Sequence, residues 1–155
     1  MVLSTIKVDE IFNHAFVSIT KKLASLELMT GSDCACDDIK YRELVHTKGV
    51  FQATIVCEFS EGVFEHIISA MYGGSIPPED MQVLYINEYV NIVCGRAVSE
   101  INDITGKSTR LTVPSFHSID DKIKKDEENK DKFILEYKTD CGILRVSVYY
   151  DIGKP

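Results

Sequence analysis

Glu88 and Asn91 stand three residues apart in the run Glu88-Tyr89-Val90-Asn91-Ile92-Val93-Cys94-Gly95. A carboxamide both donates and accepts hydrogen bonds, so it can hold a water molecule in a set direction, and a nearby carboxylate can hold a cation. Such chemistry needs a rigid carrier. Ile86, Val90, Val93, Ala97 and Ile101 step by four, three, four and four, the spacing of one buried helix face. At about 100° per residue, Glu88, Asn91 and Gly95 lie within about 60° of one another, away from that face. Leu84, Ile92 and Val98 also fall on the outer side, where a solvated face would carry charge. The mixture reads as a surface that meets another protein. An ordinary solvated helix face would account for the pair alone.

The elements that must position this helix are legible around it. Pro77-Pro78-Glu79-Asp80 suits a helix start, and Gly106 marks its end. Upstream, Phe12, Phe16, Ile19, Leu23 and Leu26 predict a first helix over about 9–28, with Asp9 as its N-cap. Residues 31–38 are a polar break. Residues 39–46 and 50–59 read as two strands about Lys48-Gly49. Ser60 caps a helix carrying Val63, Phe64, Ile67, Ile68 and Met71, stopped by Gly73-Gly74. Residues 109–118 form a strand interrupted by Pro114, and the charged stretch 120–132 reads as a solvated loop or a mobile hairpin tip. A hairpin over 133–138 and 143–150 closes the chain about Asp140-Cys141-Gly142. The order predicts a single α/β (α+β) domain over 1–155. Its helices pack on a mostly antiparallel sheet, with two copies of a helix-then-strands unit. The terminal strand 143–150 is expected to leave an open edge.

Composition limits the partners. Of 155 residues, 45% are apolar and 26% charged, which is globular rather than disordered. A net charge of −7 and a pI near 5.1 disfavour nucleic acid and anionic membrane, both of which need a basic surface. No apolar run approaches a membrane span of about 20 residues. Lys7, Asp9 and Glu10 do not fit a signal-peptide layout. Five cysteines without paired C-x-x-C motifs fit free thiols in the cytoplasm.

Glu88-x-x-Asn91, Gly95 four residues on, and Pro114 after 22 intervening residues together resemble the active-site signature of the CheC, CheX and FliY chemotaxis phosphatases. Asn-Ile-Val-Cys-Gly-Arg-Ala is similar to the run in the single-site CheX branch, and the element order agrees from about Asp9 onward. The resemblance implies two pseudo-symmetric halves and an activity, hydrolysis of the aspartyl phosphate on a CheY-like response regulator. It implies that Asn91 orients the attacking water and that Glu88 pairs with the regulator's lysine. Leu84, Ile92, Gly95, Arg96 and Val98 would line the partner surface, with no cofactor of the protein's own. Magnesium would belong to the regulator. A homodimer with sheets joined across a two-fold axis is implied as well. Two departures bear on which regulator is recognised: Leu84 replaces a small polar or acidic residue, and Arg96 replaces an asparagine. The alternative function is a non-catalytic interaction domain of the same fold, binding a receiver or signalling component.

Other candidates are weaker. Glu10-x-x-Asn13 repeats the pair in the first helix but has Val17 at the glycine offset and Cys36 at the proline offset. Asn13 there reads as capping or decorating an exposed helix turn. Cys34-x-Cys36 beside Asp33, Asp37 and Asp38 lacks matching metal ligands. His14, His46, His66 and His117 are scattered, and Cys57, Cys94 and Cys141 read as packing residues.

Overall fold

The structure, a computed structural model, describes residues 8–31, 38–119 and 130–152. Helices α1 (Val8–Ala24), α2 (Glu61–Met71) and α3 (Glu79–Thr105) lie on one face of an antiparallel sheet. Its strands are β1 (Met29–Thr30), β2 (Ile39–Gly49), β3 (Phe51–Ser60), β4 (Thr109–Leu111), β5 (Ser115–Ser118), β6 (Asp131–Thr139) and β7 (Gly142–Ile152). The order is β1-β6-β7-β3-β2-β4, with β5 also paired to β2.

Two long hairpins, β2–β3 and β6–β7, meet at the antiparallel β3–β7 seam. β1, which follows α1, joins the second hairpin; β4 and β5, which follow α3, join the first. Each half thus donates its short strands to the other, the pseudo-symmetric layout expected of two helix-then-strands units. The tight first hairpin depends on Gly49, whose φ of 135° an L side chain rarely adopts.

The fully buried Ile86, Val90, Val93, Ala97 and Ile101 seat α3 against a core that includes Phe12, Phe16, Ile55, Phe59 and Phe64. On the sheet's other face, Glu58 accepts from Arg42 at 3.1 and 3.2 Å and from Arg145 at 2.9 Å, tying β2, β3 and β7 together.

Several expectations are corrected. α1 stops at Ala24 because Ser25 turns left-handed (φ 51°), so Leu26 and Leu28 are buried from an extended segment rather than a helix. Asp9 is the second residue of α1, not its N-cap; its carboxylate accepts the Glu10 N–H at 3.0 Å. Ser60 does cap α2 by backbone geometry, but its hydroxyl accepts the Ile143 N–H at 3.0 Å instead of an amide of its own helix. β7 is not an edge strand: β6 and β3 pair both of its sides. Most of the 31–38 break and the loop 120–132 lie outside the described residues.

Candidate functional site

α3 is 27 residues long and ends on Gly106, whose left-handed φ of 68° closes the last turn. Pro78 precedes its first residue, and Glu79 and Asp80 place negative charge at the positive end of the helix. With the inner stripe in the core, Glu88 and Asn91 are both exposed on the outer side. Among the described residues, no hydrogen bond or ion pair engages either side chain. A carboxylate and a carboxamide thus sit one turn apart on a fixed helix, both free to meet an incoming molecule.

The surroundings divide the expected partner surface. Leu84 is 65% exposed, a large apolar side chain one turn before Glu88. Ile92 is half-buried and Arg96 is exposed. Val98 is a correction: at 4% exposure it belongs to the packed interior, because the helix turns it past the rim of the outer face. Gly95 is half-buried, and a Cβ there would touch only Leu111 Cδ1, at 3.7 Å. That is ordinary contact, so the protein's own packing does not demand glycine.

Leu111 belongs to β4, which brings the β4–β5 connection beside α3. The register against β2 slips there: Leu111 pairs with Thr47 but Ser115 pairs with Leu44, so Val113 and Pro114 both fall opposite Val45. This is a bulge, and proline, lacking an N–H, suits it. Pro114 is buried, whereas Val113 is 84% exposed. Sequence alternation did not reveal Val113, since only the bulge turns it outward.

The second Glu-x-x-Asn is not an equivalent site. Asn13 is half-buried, and its carboxamide oxygen accepts the Tyr137 hydroxyl at 2.7 Å, so it neither decorates an exposed turn nor is free to hold a water. Cys57 and Cys94 are buried, as expected. Cys141 is instead partly exposed, with Sγ 3.4 Å from Nδ1 of His66, whose Nε2 donates to the Ala24 carbonyl at 2.8 Å. Cys34 and Cys36 lie outside the described residues, and among those described no cluster of three metal-ligating side chains forms.

On the inner side of α3 three residues were missed. Asn87, next to Glu88, turns toward the sheet and meets the carboxyl group of Glu43 on β2, which is fully buried. Burial pushes the Glu43 carboxyl up to about 8. Tyr89, also fully buried, shares a 2.6 Å hydrogen bond with Thr20 of α1, and burial raises its phenol.

The family model for the chemotaxis phosphatase CheX matches residues 43–138, from Glu43 within β2 to Lys138 within β6, and takes in the whole of α3. The chain belongs to the CheX family. Solved structures of similar fold include the chemotaxis protein CheX from Desulfovibrio desulfuricans (TM-score 0.78, 16% identity, 94% of this chain and 100% of that one). CheX from Vibrio vulnificus is similar to the same degree (TM-score 0.78, 18% identity, 94% and 97%). A third is the CheX–CheY–BeF3–Mg complex from Borrelia burgdorferi (TM-score 0.74, 16% identity, 94% and 98%). No curated protein matches the chain in sequence. No helix among the described residues of this CheX-family chain is long and apolar enough to cross a membrane.

Proposed function

We propose that this CheX-family protein hydrolyses the aspartyl phosphate of a CheY-like receiver domain in the cytoplasm. The observation that carries the reading is the exposed, unengaged Glu88/Asn91 pair on the outer face of a helix whose inner face is buried. The Borrelia burgdorferi relative, solved in complex with CheY, supports the choice of partner.

An acyl phosphate has a carboxylate as leaving group, so water needs orientation more than a strong base. Asn91 supplies it: the carboxamide oxygen accepts one water O–H and so aims the water oxygen at phosphorus, the task of the water-positioning glutamine in GTPases. The new oxygen–phosphorus bond forms as the bond to the aspartyl oxygen breaks. The receiver's aspartate leaves as carboxylate, and the water's protons stay with inorganic phosphate and solvent. Glu88 pairs with a receiver lysine and holds α3 over the phosphoryl group. Leu84 and Val113 offer exposed apolar surface to the same partner, with Ile92, Gly95 and Arg96 between them along α3. Magnesium belongs to the receiver, and the reading asks this chain for no metal ligand.

The test is phosphate release from a panel of purified phosphorylated receivers. Asn91→Ala should abolish turnover, a loss of 100-fold or more on the scale of about 10²–10³ for a positioned catalytic hydrogen-bonding group, while unfolding in urea stays unchanged. Glu88→Ala should lower apparent affinity as well as turnover, because it removes one charge of a largely desolvated pair. Turnover retained in Asn91→Ala would leave a receiver-binding domain without catalysis by this pair.

A further inference from the structure

Among the described residues, no cation pairs with the buried Glu43. It projects from β2 to the helix side of the sheet, level with Cys57 on β3 and Phe116 on β5. Arg42 and Arg145 are engaged with Glu58 on the opposite face. Among the described residues its hydrogen-bond partner is Asn87: with the amide turned to donate, Nδ2 lies 2.8 and 2.9 Å from the two carboxyl oxygens. The other titratable groups on this side are the phenols of Tyr41, Tyr89 and Tyr137, each raised by burial, and two thiols, Cys57 and the Cys94 of α3 hydrogen-bonded to it; that bond and burial push the Cys57 thiol up.

Asn87 is the residue before Glu88 and lies one turn before Asn91, about 40° from it around the helix. The inner stripe of α3 is mostly aliphatic, and apolar burial is non-directional; the directional ties on this side are the Tyr89–Thr20 hydrogen bond to α1 and the Asn87–Glu43 contact to β2. A hydrogen bond from strand to helix is directional. A 20° roll of α3 would swing a side-chain tip some 6 Å from the axis by about 2 Å, and misplacement by about 1 Å can cost a reaction 100-fold.

We infer that Glu43 is a positioning residue for the exposed pair, setting through Asn87 the rotation of α3 and hence the aim of Glu88 and Asn91. The inference rests on the phosphatase reading of that pair. The contact survives either protonation state of Glu43. The carboxamide donates to the carboxylate, and after turning over, its oxygen accepts the O–H of the acid. With the Glu43 carboxyl pushed up to about 8 by burial, the acid predominates at neutral pH, and the amide turns over as pH rises through that value.

Two variants and two readouts test this. Glu43→Leu fills the space without a hydrogen bond, and Glu43→Gln keeps a partner for Asn87. In phosphate release, Glu43→Leu should lose about tenfold in kcat at unchanged folded fraction, and Glu43→Gln should recover most of it. In nitrogen-15 NMR, the side-chain amide signals of Asn87 and Asn91 should move with pH about a common midpoint near 8, and stop moving in Glu43→Gln. Glu43→Leu should displace the Asn91 signal at every pH. Wild-type kcat together with an unmoved Asn91 signal in Glu43→Leu would overturn the inference. Should the wild type release no phosphate from any receiver, the phosphatase reading falls, and the Asn91 signal alone decides whether Glu43 positions it.

Discussion

A glycine inside a helix costs about 1 kcal/mol relative to alanine. At Gly95 the protein carries that cost with no packing need of its own, since a Cβ would meet only Leu111 at an ordinary 3.7 Å. A partner's backbone lying across α3 gives the bare position a purpose. Gly95→Ala should therefore raise stability by roughly 0.5–1 kcal/mol in urea unfolding while raising KM for a phosphorylated receiver. A destabilised Gly95→Ala would place the need for glycine within this chain and remove the argument for close approach.

At the scale of elements, the turn between β6 and β7 is seated on the first turn of α2. The Ser60 hydroxyl accepts the Ile143 N–H. A Cβ on Gly62 would collide with the Cys141 carbonyl, and one on Gly142 with the Ser60 hydroxyl. The cap residue of one helix is thus spent on pinning a hairpin from the other half of the chain. Ser60→Ala strands a buried backbone N–H and should cost about 1–2 kcal/mol. Gly62→Ala should cost more, because its obstacle is backbone rather than a side chain that can turn away. Equal urea midpoints for wild type and Gly62→Ala would show that the turn shifts freely. Neither variant touches α3, so phosphate release by the folded fraction should hold.

For the whole molecule, the question is which edge is open. β7, the strand from which pairing between subunits was expected, is interior to the sheet. β1 and Gly31 cover β6 only from Glu136 to Lys138, so among the described residues Asp131 to Leu135 have no strand on their outer side, and Ile134 is 45% exposed there. We expect a two-fold pairing of this edge, which would join two sheets and leave both α3 faces free. Light scattering at micromolar concentration should then give twice the chain mass of 17.4 kDa, and Ile134→Lys should shift it to monomer. A wild type of 17.4 kDa would sink the dimer.

Much of this was written in the sequence because it depends on local periodicity. The inner stripe of α3 and the outward Glu88 and Asn91 follow from 3.6-residue spacing alone, and Ser60, Pro78 and Gly106 mark helix ends by local backbone preference. The strands 39–46, 50–59, 133–138 and 143–150 were likewise visible as β-rich runs about turns. Even Glu43 was within reach, two residues before Val45 on the inward side of β2, where alternation buries it. Tertiary structure decided what depends on which elements become neighbours. Only the sheet order shows that β7 is interior, that a bulge turns Val113 outward, and that Asn13 is taken by Tyr137. Val98 was misplaced because a helix face has no sharp rim until its neighbours are packed against it. The pairing of Asn87 with Glu43 spans 44 residues of sequence, and no local pattern encodes a contact that exists only once α3 lies on β2.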